Sequence, residues 1–294
     1  MSLSNAHAEL GPGESAHAIE LGRLIFQGAE SKVYSCNFYG APALCKHRFV
    51  KRYRDPSLDE RLRTQRTRRE ARALERCVKK GIRAPRLLGA DYINTFLVMS
   101  YEAGPTVKEA LDAEHAAYMQ QVSKGKSTPA QQQQQQPTSS PSASANASPS
   151  PVIAALLQSI GVVVARLHNA NIVHGDLTTS NFICTCNGLA AAAASPGAGG
   201  ADAHASSSPV LPTAEDIVVL DFGLISDKYS TEERAVDLYV LERAIASTHP
   251  YLSAFASDII VEGYRSAADP KKGEEALQRL EAVRARGRKR TMVG

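Results

Sequence analysis

The first third of the chain alternates short apolar runs with polar turns. Four runs have the length and composition of strands, and one helical stretch, from about Ser57 to Lys80, interrupts them. The runs are RLIFQ at 23–27, SKVYSCNFY at 31–39, PALCKHRF at 42–49 and TFLVMSY at 95–101. We therefore predict a small β-rich lobe over residues 17–102, preceded by a disordered tail at residues 1–16.

The remainder of the chain has a mainly helical pattern. The segment PVIAALLQSIGVVVARLHNANI carries a single apolar face, the short runs FIC and DIVVLDF follow, and helices are predicted again from about Thr231. The residues of that apolar face are Ile153, Leu156, Leu157, Ile160, Val164 and Leu167. The predicted fold class is α+β, with a helical second lobe over residues 103–294 and a ligand cleft between the lobes.

Two low-complexity stretches interrupt this second lobe. Residues 114–150 run through QQQQQQPTSSPSASANASPSP, and residues 187–213 include GLAAAAASPGAGGADAHASSSP. Such segments bury too little apolar surface to offset the entropy of the chain. We predict that both are disordered insertions without a functional role.

Composition is that of an ordinary globular protein and sets only broad limits. The chain has 294 residues, of which 43% are hydrophobic and 22% charged, and its five cysteines are scattered along it. An odd number of scattered cysteines and a start without a basic and apolar leader favour a reducing compartment, so we expect the nucleus and cytoplasm. The longest apolar run is too short for a bilayer, and we expect no membrane association.

Positive charge is concentrated in two places. Residues 46–72 hold eleven Lys and Arg against four Asp and Glu, and the last eleven residues hold five basic and no acidic side chains. Local basicity of this kind is typical of a surface that meets a polyanion. From charge alone, a solvated helix face with a frayed tail that serves nuclear import is an equal alternative.

The most informative stretch is IVHGDLTTSNFIC at 172–184, which is followed by VVLDFG. The order is that of a protein-kinase catalytic loop, H-x-D-L-x-x-x-N, and of the later D-F-G. At these spacings Asp176 can accept a proton from an attacking hydroxyl or orient a nucleophile, while Asn181 and Asp221 supply oxygen ligands to Mg²⁺. An isolated HGD would indicate only a capped turn, but the full set favours phosphoryl transfer.

Upstream residues fit the same machinery. Lys46 lies in the third apolar run, and Glu70 shares a helical stripe with Leu74 and Cys77. An inward carboxylate is costly without a cation, so we predict a Lys46–Glu70 ion pair, although Lys46 is one of many basic residues here. The run IFQGAESKVY has the single glycine Gly28, which alone would indicate a hairpin turn but ahead of Lys46 is typical of a shortened phosphate-binding loop.

The chain also departs from ordinary protein kinases. Thr178 stands where a lysine is usual, no A-P-E follows, and only sixteen positions separate Asp221 from Asp237. Asp237, at the start of a helix, is expected to support the catalytic loop. The residues for ATP are therefore complete, while the platform for a peptide substrate is mostly missing.

These features resemble one particular family, the small atypical kinase subunit of the KEOPS (EKC) complex, which is related to RIO-type kinases. The resemblance rests on QGAES, KHRFVKRYRDPSLDERL, RREARAL, VHGDLTTSNF, DFGLIS, VDLYVLERA with STHP, and the terminal RGRKRTMVG. It covers nearly the whole chain outside the two insertions and the first sixteen residues. It implies a bilobal minimal protein-kinase-like fold with a small β-rich N-lobe and a mainly helical C-lobe.

The resemblance further implies Mg-ATP binding with autophosphorylation or ATPase activity, and a role in making threonylcarbamoyladenosine beside the tRNA anticodon. It implies Asp176 as proton acceptor, Asn181 and Asp221 as metal ligands, and Lys46 with Glu70 as the phosphate-gripping pair. The residues expected to contact ATP are Gln27, Gly28, Ala29, Glu30, Ser31, Val33, Lys46 and, at the adenine, Met99. The implied partners are the threonylcarbamoyl-transferase subunit and a small regulatory subunit.

The basic segments suit an RNA partner independently of the resemblance, because Lys and Arg bind phosphates in a salt-sensitive, sequence-blind way, and the resemblance implies that this RNA is tRNA. We expect a C-terminal helix to dock through Leu277, Leu280 and Val283 and to leave residues 284–290 projecting within a basic tail at 284–294. Three functions remain open. They are an ATPase or autophosphorylating subunit that serves tRNA modification, which we favour, a Ser/Thr kinase of separate proteins, and a non-catalytic scaffold.

Overall fold

The computed structural model describes residues 19–125, 149–186, 210–226 and 228–291. The chain divides into two compact units. The first comprises the chain up to Glu102 together with Asp221–Ile225, and the second comprises Ala103–Leu220 with the chain from Ser226 onward. The short return segment Asp221–Ile225 thus joins the sheet-containing unit, although it follows 118 residues of the other.

The first unit is a five-stranded antiparallel sheet with one long helix. Its elements are β1 (Ile19–Gln27), β2 (Lys32–Phe38), β3 (Ala41–His47), α1 (Pro56–Lys79), β4 (Leu87–Asp91) and β5 (Phe96–Ser100), in the sheet order β1-β2-β3-β5-β4. Tyr39 and Gly40, with φ of 48° and 81°, close a two-residue turn between β2 and β3. The sequence analysis did not separate β4 from its neighbours.

Helix α1 begins and packs as its sequence requires. Asp55 caps it by accepting a hydrogen bond from the Leu58 amide at 2.9 Å, and Pro56 opens the first turn. Ala71 on its inner face packs with Leu97 and Met99 of β5. The inner stripe therefore fixes the rotation of the helix and directs Glu70 inward.

The second unit is mainly helical. Its helices are α2 (Val107–Gly125), α3 (Pro151–Asn169), α4 (Thr231–Thr248), α5 (Ala256–Ala267) and α6 (Pro270–Thr291), and its two strands, β6 (Phe182–Cys184) and β7 (Ile217–Val219), pair antiparallel. In the described part of the chain, α3 is the one helix long and apolar enough to cross a bilayer, and most of it is buried inside the protein. Its composition is explained by a place in the core of the unit.

The structure corrects the start of the first predicted insertion. Residues 114–125 lie in α2, because DAEHAAYMQQ is rich in helix-forming residues and the low-complexity composition begins later. His115 in this part of α2 stacks on Tyr251, with ring centroids 3.7 Å apart. Residues 126–148 and 187–209 of the insertions, and the predicted tail at 1–16, lie outside the described residues.

The structure also corrects the expectation that residues 284–290 project. Arg284 is ion-paired with Glu242 of α4, and Arg286 with Glu232. Leu277, Leu280 and Val283 are buried as expected. The first two arginines of the predicted tail therefore dock α6 onto α4. The side chains of 288–290 lie outside the described part.

All five cysteines are buried and free of disulfides. Cys184 lies in β6, and Cys186 lies just beyond the strand. Burial raises the pKa of Cys45 to about 12, with the nearby Cys36 contributing, and it raises the pKa of Cys77 to about 12 against the smaller effect of Arg76. These thiols stay protonated and serve as small apolar side chains.

Candidate functional site

The first group of site residues is an ion cluster in the first unit, made by the predicted Lys46, Glu70 and Asp221 together with Arg48. Lys46 Nζ donates to Glu70 Oε1 at 2.8 Å and to Asp221 Oδ1 at 2.6 Å. The predicted contact between Lys46 and Glu70 is therefore present, and Asp221 joins it. We call this group the Lys46 cluster.

Strand pairing and helix rotation position these groups. Lys46 on β3 lies opposite Val33 on β2 and Leu97 on β5, so the pairing of β3 with a strand on each side fixes the position of the lysine in the sheet. Glu70 is 1% exposed on the inner stripe of α1. A carboxylate this deep is stable only when its charge is matched, and two cations provide the match.

Arg48 is the member that the sequence analysis missed. Its Nη2 donates to Glu70 Oε2 at 2.6 Å, and both side chains are almost fully buried. A Cβ on Gly223 would lie 2.5 Å from this Nη2, so the glycine of D-F-G makes room for the guanidinium. The available signal was the spacing of Lys46 and Arg48, which places two cations on one face at the end of a strand.

Asp221 has an unusual backbone and a strongly acidic carboxyl. Its φ is 55°, in the left-handed region where few residues other than glycine are found. Burial alone would raise its pKa, but the charge and hydrogen bond of Lys46, the Gly223 amide and the Arg48 charge lower the pKa to about 2. Since the Asp221 side chain is 45% exposed, an ionised carboxylate is presented at the surface of the unit.

The second group, residues 172–181, lies in the second unit and is called the Asp176 loop. Asn181 Nδ2 donates to the carbonyl of Asp176 at 2.8 Å and lies 3.5 Å from the Asp176 carboxylate. His174 donates from Nε2 to the Leu220 carbonyl at 2.8 Å and accepts the Asp176 amide at Nδ1, 3.3 Å away. Those two bonds require the tautomer with its hydrogen on Nε2.

Asp237 supports this loop from α4, as the sequence predicts. Its two carboxylate oxygens accept the His174 and Gly175 amides, each at 2.8 Å. His168 lies 3.2 Å from the same carboxylate and 2.9 Å from the Tyr264 hydroxyl. Burial raises the pKa of Tyr264, so its hydroxyl stays protonated and can donate to His168. Gly175, with φ of 82°, adopts a backbone that a side chain would strain.

A second histidine, His249, contacts a buried residue of the same loop. Thr179 Oγ1 lies 3.0 Å from His249 Nε2, and His249 Nδ1 lies 3.1 Å from Asp112 of α2. Burial lowers the pKa of His249 and outweighs the Asp112 carboxylate, which raises it. A neutral His249 therefore links α2 to the turn that ends at Asn181.

The predicted nucleotide loop, Gln27–Ser31, begins with the last residue of β1 and leads into β2. The Gly28 amide donates to the Ser31 carbonyl at 2.9 Å, which closes a tight hairpin after Gln27. Glu30 is ion-paired with Lys51, Arg54 and Arg66. Met99 packs with Ala71 and Leu97 in the core of the first unit, and its predicted contact with adenine stays a prediction.

The donor atoms fit a magnesium nucleotide. Asp221 is an ionised carboxylate. The side-chain amide of Asn181 donates from Nδ2 to Asp176, which leaves its Oδ1 oxygen as a potential metal ligand. Such hard oxygen donors are what Mg²⁺ prefers. Lys46 supplies a fixed ammonium for phosphate. The two groups belong to different units, and each is organised by its own hydrogen bonds.

Comparison with known proteins identifies relatives that span most of the chain and a structure of similar fold. No family model matches the chain. The EKC/KEOPS complex subunit bud32 of Emericella nidulans is 37% identical over 278 residues, which cover 92% of this chain and 90% of that protein. The subunit Tp53rkb of Mus musculus is 34% identical over 273 residues, covering 92% and 88%.

A solved structure of WaaP in complex with acyl carrier protein shares the fold, with a TM-score of 0.50, 15% identity, and coverage of 91% of this chain and 88% of that one. The predicted fold class, with a small antiparallel β-sheet N-lobe and a helical C-lobe of kinase type, is confirmed. Identity above 30% over most of both chains shows the family as well. This chain belongs to the family of EKC/KEOPS complex subunits that includes bud32.

Proposed function

We propose that the chain is an atypical Ser/Thr kinase and ATPase that uses Mg-ATP within the KEOPS complex to support threonylcarbamoyladenosine formation on tRNA. The observation that carries the proposal is the buried Lys46–Glu70 pair with Asp221 bonded to the same ammonium. Burying the ionised Lys46 and Glu70 costs folding free energy, and a phosphate-binding role explains why this pair is buried. Membership of the bud32 family supports the assignment to the complex.

In this proposal three residues of the Lys46 cluster act together with Asn181 of the Asp176 loop. Lys46 would bind phosphate oxygens, Glu70 holds Lys46, and Asp221 and Asn181 would be ligands of the magnesium ion. Bound magnesium would neutralise charge that develops on the transferred phosphoryl group. Gln27 to Ser31 and Val33 line the phosphates, and Met99 faces the adenine.

Asp176 accepts the proton of the attacking hydroxyl or water. Its loop is preorganised, because Asp237, His174 and Asn181 fix the backbone on both sides of it. Preorganisation of this kind lowers the barrier without requiring movement during the reaction.

We further propose tRNA as the polyanion partner, with the threonylcarbamoyl-transferase subunit and a small regulatory subunit as protein partners, in the nucleus and cytoplasm. At least six of the eleven basic residues at 46–72 are paired internally, which reduces the exposed charge that composition suggests. The remaining support is a stripe of exposed cations at helical spacing on α1: Arg61, Arg68, Arg72 and Lys79.

The alternative is a kinase that phosphorylates separate proteins. It uses the same residues and differs only in the acceptor. The short stretch from Asp221 to Asp237 and the Thr178 substitution favour the first function, because both reduce the means of docking a peptide.

The deciding experiment follows radiolabelled ATP with the purified chain, alone and with tRNA and the partner subunits. We expect labelled inorganic phosphate and labelled enzyme, and no transfer to generic protein substrates. Asp176→Ala is expected to lower turnover at least about a hundredfold, in keeping with the loss of a general base, while ATP binding remains. Unchanged turnover in Asp176→Ala would refute the assigned role. Efficient labelling of added proteins would favour the alternative.

A further inference from the structure

The nucleotide loop carries a carboxylate where phosphates are proposed to bind. Glu30 is the third of the four residues between β1 and β2. Like charges repel at short range, so an unmatched carboxylate in this loop would weaken the binding of a triphosphate. The residue must therefore be neutralised, or must have a role that outweighs the repulsion.

Three cations neutralise it. Lys51 Nζ lies 3.0 Å from Glu30 Oε1, Arg54 Nη2 lies 3.4 Å from the same oxygen, and Arg66 Nη1 contacts Oε2. The Lys51 side chain is only 8% exposed, and those of Arg54 and Arg66 are 23% exposed. Partly buried charge-assisted bonds are stronger than surface pairs, and a group that shares one carboxylate loses less side-chain entropy per bond.

The cations come from elements that also position Lys46. Lys51 and Arg54 lie between β3, which carries Lys46, and α1, which carries Glu70. Arg66 lies on α1 one turn before Glu70. The loop is thus tied, through a single side chain, to the helix that holds the phosphate-binding lysine.

We propose that Glu30 is a positioning residue, which ties the nucleotide loop to α1 and thereby holds the loop amides in register with Lys46. The proposal rests on the proposed function of this site. The ion pairs of Glu30 explain how a loop with the single glycine Gly28 keeps a defined shape before ATP binds. A glycine-rich loop would instead be flexible and would take its shape on binding. The mechanism is a reduction of the ordering cost that ATP would otherwise meet.

A simpler explanation is that Glu30 acts only through its charge. Charge-reversal variants distinguish this explanation from a positioning role of Glu30. Glu30→Arg makes the four-residue group more positive by two units, Arg66→Glu makes it less positive by two, and the double variant restores the wild-type charge and one opposite-charge contact. If only net charge matters, the single variants must change ATP affinity in opposite directions, because a more positive site attracts ATP and a less positive one repels it.

Two measurements test the proposal. The first is hydrogen exchange of the amides at 27–31 in the nucleotide-free protein, and the second is the dissociation constant for Mg-ATP by calorimetry. We expect both single variants to accelerate exchange and to weaken ATP binding by roughly tenfold, and the double variant to recover to within about threefold of wild type. Glu75→Arg and Lys80→Glu, exposed substitutions in and just after the last turns of α1, are the matched charge controls and should change neither quantity by more than about threefold.

Opposite shifts of ATP affinity in the two single variants, or wild-type exchange rates in both, would overturn the proposal. Glu30→Gln, which keeps shape and removes charge, replaces any reversal that fails to fold, and wild-type exchange in that variant would also overturn it. Failure of the proposed function is a separate result, since wild-type protein would then bind no Mg-ATP while the exchange data still report whether Glu30 ties the loop.

Discussion

At the scale of single residues, the position of Lys46 depends on a neighbour that does not take part in the proposed chemistry. Glu70 has both carboxylate oxygens occupied, one by Lys46 and the other by Arg48. Arg48 therefore holds the rotamer of Glu70 and, through it, the location of the lysine. The guanidinium has an unsatisfied Nη1, which adds a cost that the bond to Glu70 must offset.

We predict that Arg48→Met lowers the free energy of unfolding by about 2–3 kcal/mol, because Glu70 stays buried with one cationic partner instead of two. Denaturation in urea, followed by circular dichroism, measures the change. Arg52→Met is the control, since Arg52 is exposed and should matter by less than about 0.5 kcal/mol. Equal stability of the two variants would show that Arg48 does not hold the cluster.

Motif spacing along the chain predicts the residues that the proposed chemistry requires. It does not predict the features that depend on tertiary packing. Lys46 and Glu70 were paired from their order along the chain, and the structure places them in contact. The left-handed backbone of Asp221 and the entry of Arg48 beside Gly223 depend on how distant segments pack. No local pattern encodes such packing, so these features appear only in three dimensions.

At the scale of elements, two glycines set the closest helix crossing in the second unit. A Cβ on Gly161 of α3 would lie 2.2 Å from the Ile260 carbonyl, and a Cβ on Gly263 of α5 would lie 2.2 Å from the Gln158 carbonyl. These are backbone atoms that cannot rotate away. The two helices therefore touch along their main chains, and His168 of α3 reaches Tyr264 of α5 next to that contact.

We predict that Gly161→Ala destabilises the protein by about 2–4 kcal/mol, because α5 must move away from α3. In a helix with free space beside the glycine, the same change would raise the free energy of unfolding by up to about 1 kcal/mol. The sign of the change in that free energy therefore distinguishes a close crossing from an open one. Thermal or chemical denaturation measures it. Gly263→Ala should give a similar loss, and a neutral or stabilising effect in either variant would contradict the close crossing.

Amino-acid composition alone predicts one helix boundary wrongly. The helical face of α3 was predicted residue by residue, because a buried helix has a strong apolar period. The second half of α2 was assigned to an insertion, although His115 stacks there on Tyr251. Alanine, glutamate and glutamine are common in both solvated helices and low-complexity segments, so composition could not distinguish the two.

At the scale of the whole molecule, basic residues divide into those that hold the fold and those that remain for a partner. The net charge of +4 does not distinguish these two sets of basic residues. On α6, Arg284 is paired with Glu242 and Glu281, and Arg286 is paired with Glu232. A basic tail inferred from the sequence is therefore partly a set of internal ion pairs, and within this tail the residues beyond 287 stay assigned to tRNA, beside the exposed cations of α1.

We predict that deleting residues 288–294 weakens tRNA binding and lowers the slope of log affinity against log salt by roughly two to three, since three cations are removed. Arg284→Ala should instead lower the free energy of unfolding by about 1–3 kcal/mol and leave that slope unchanged, because its charge is spent on Glu242. Binding titrations at several salt concentrations, with denaturation of both variants, separate the two roles. An unchanged slope after the deletion would assign tRNA binding elsewhere, and the exposed cations of α1 would be the next surface to test.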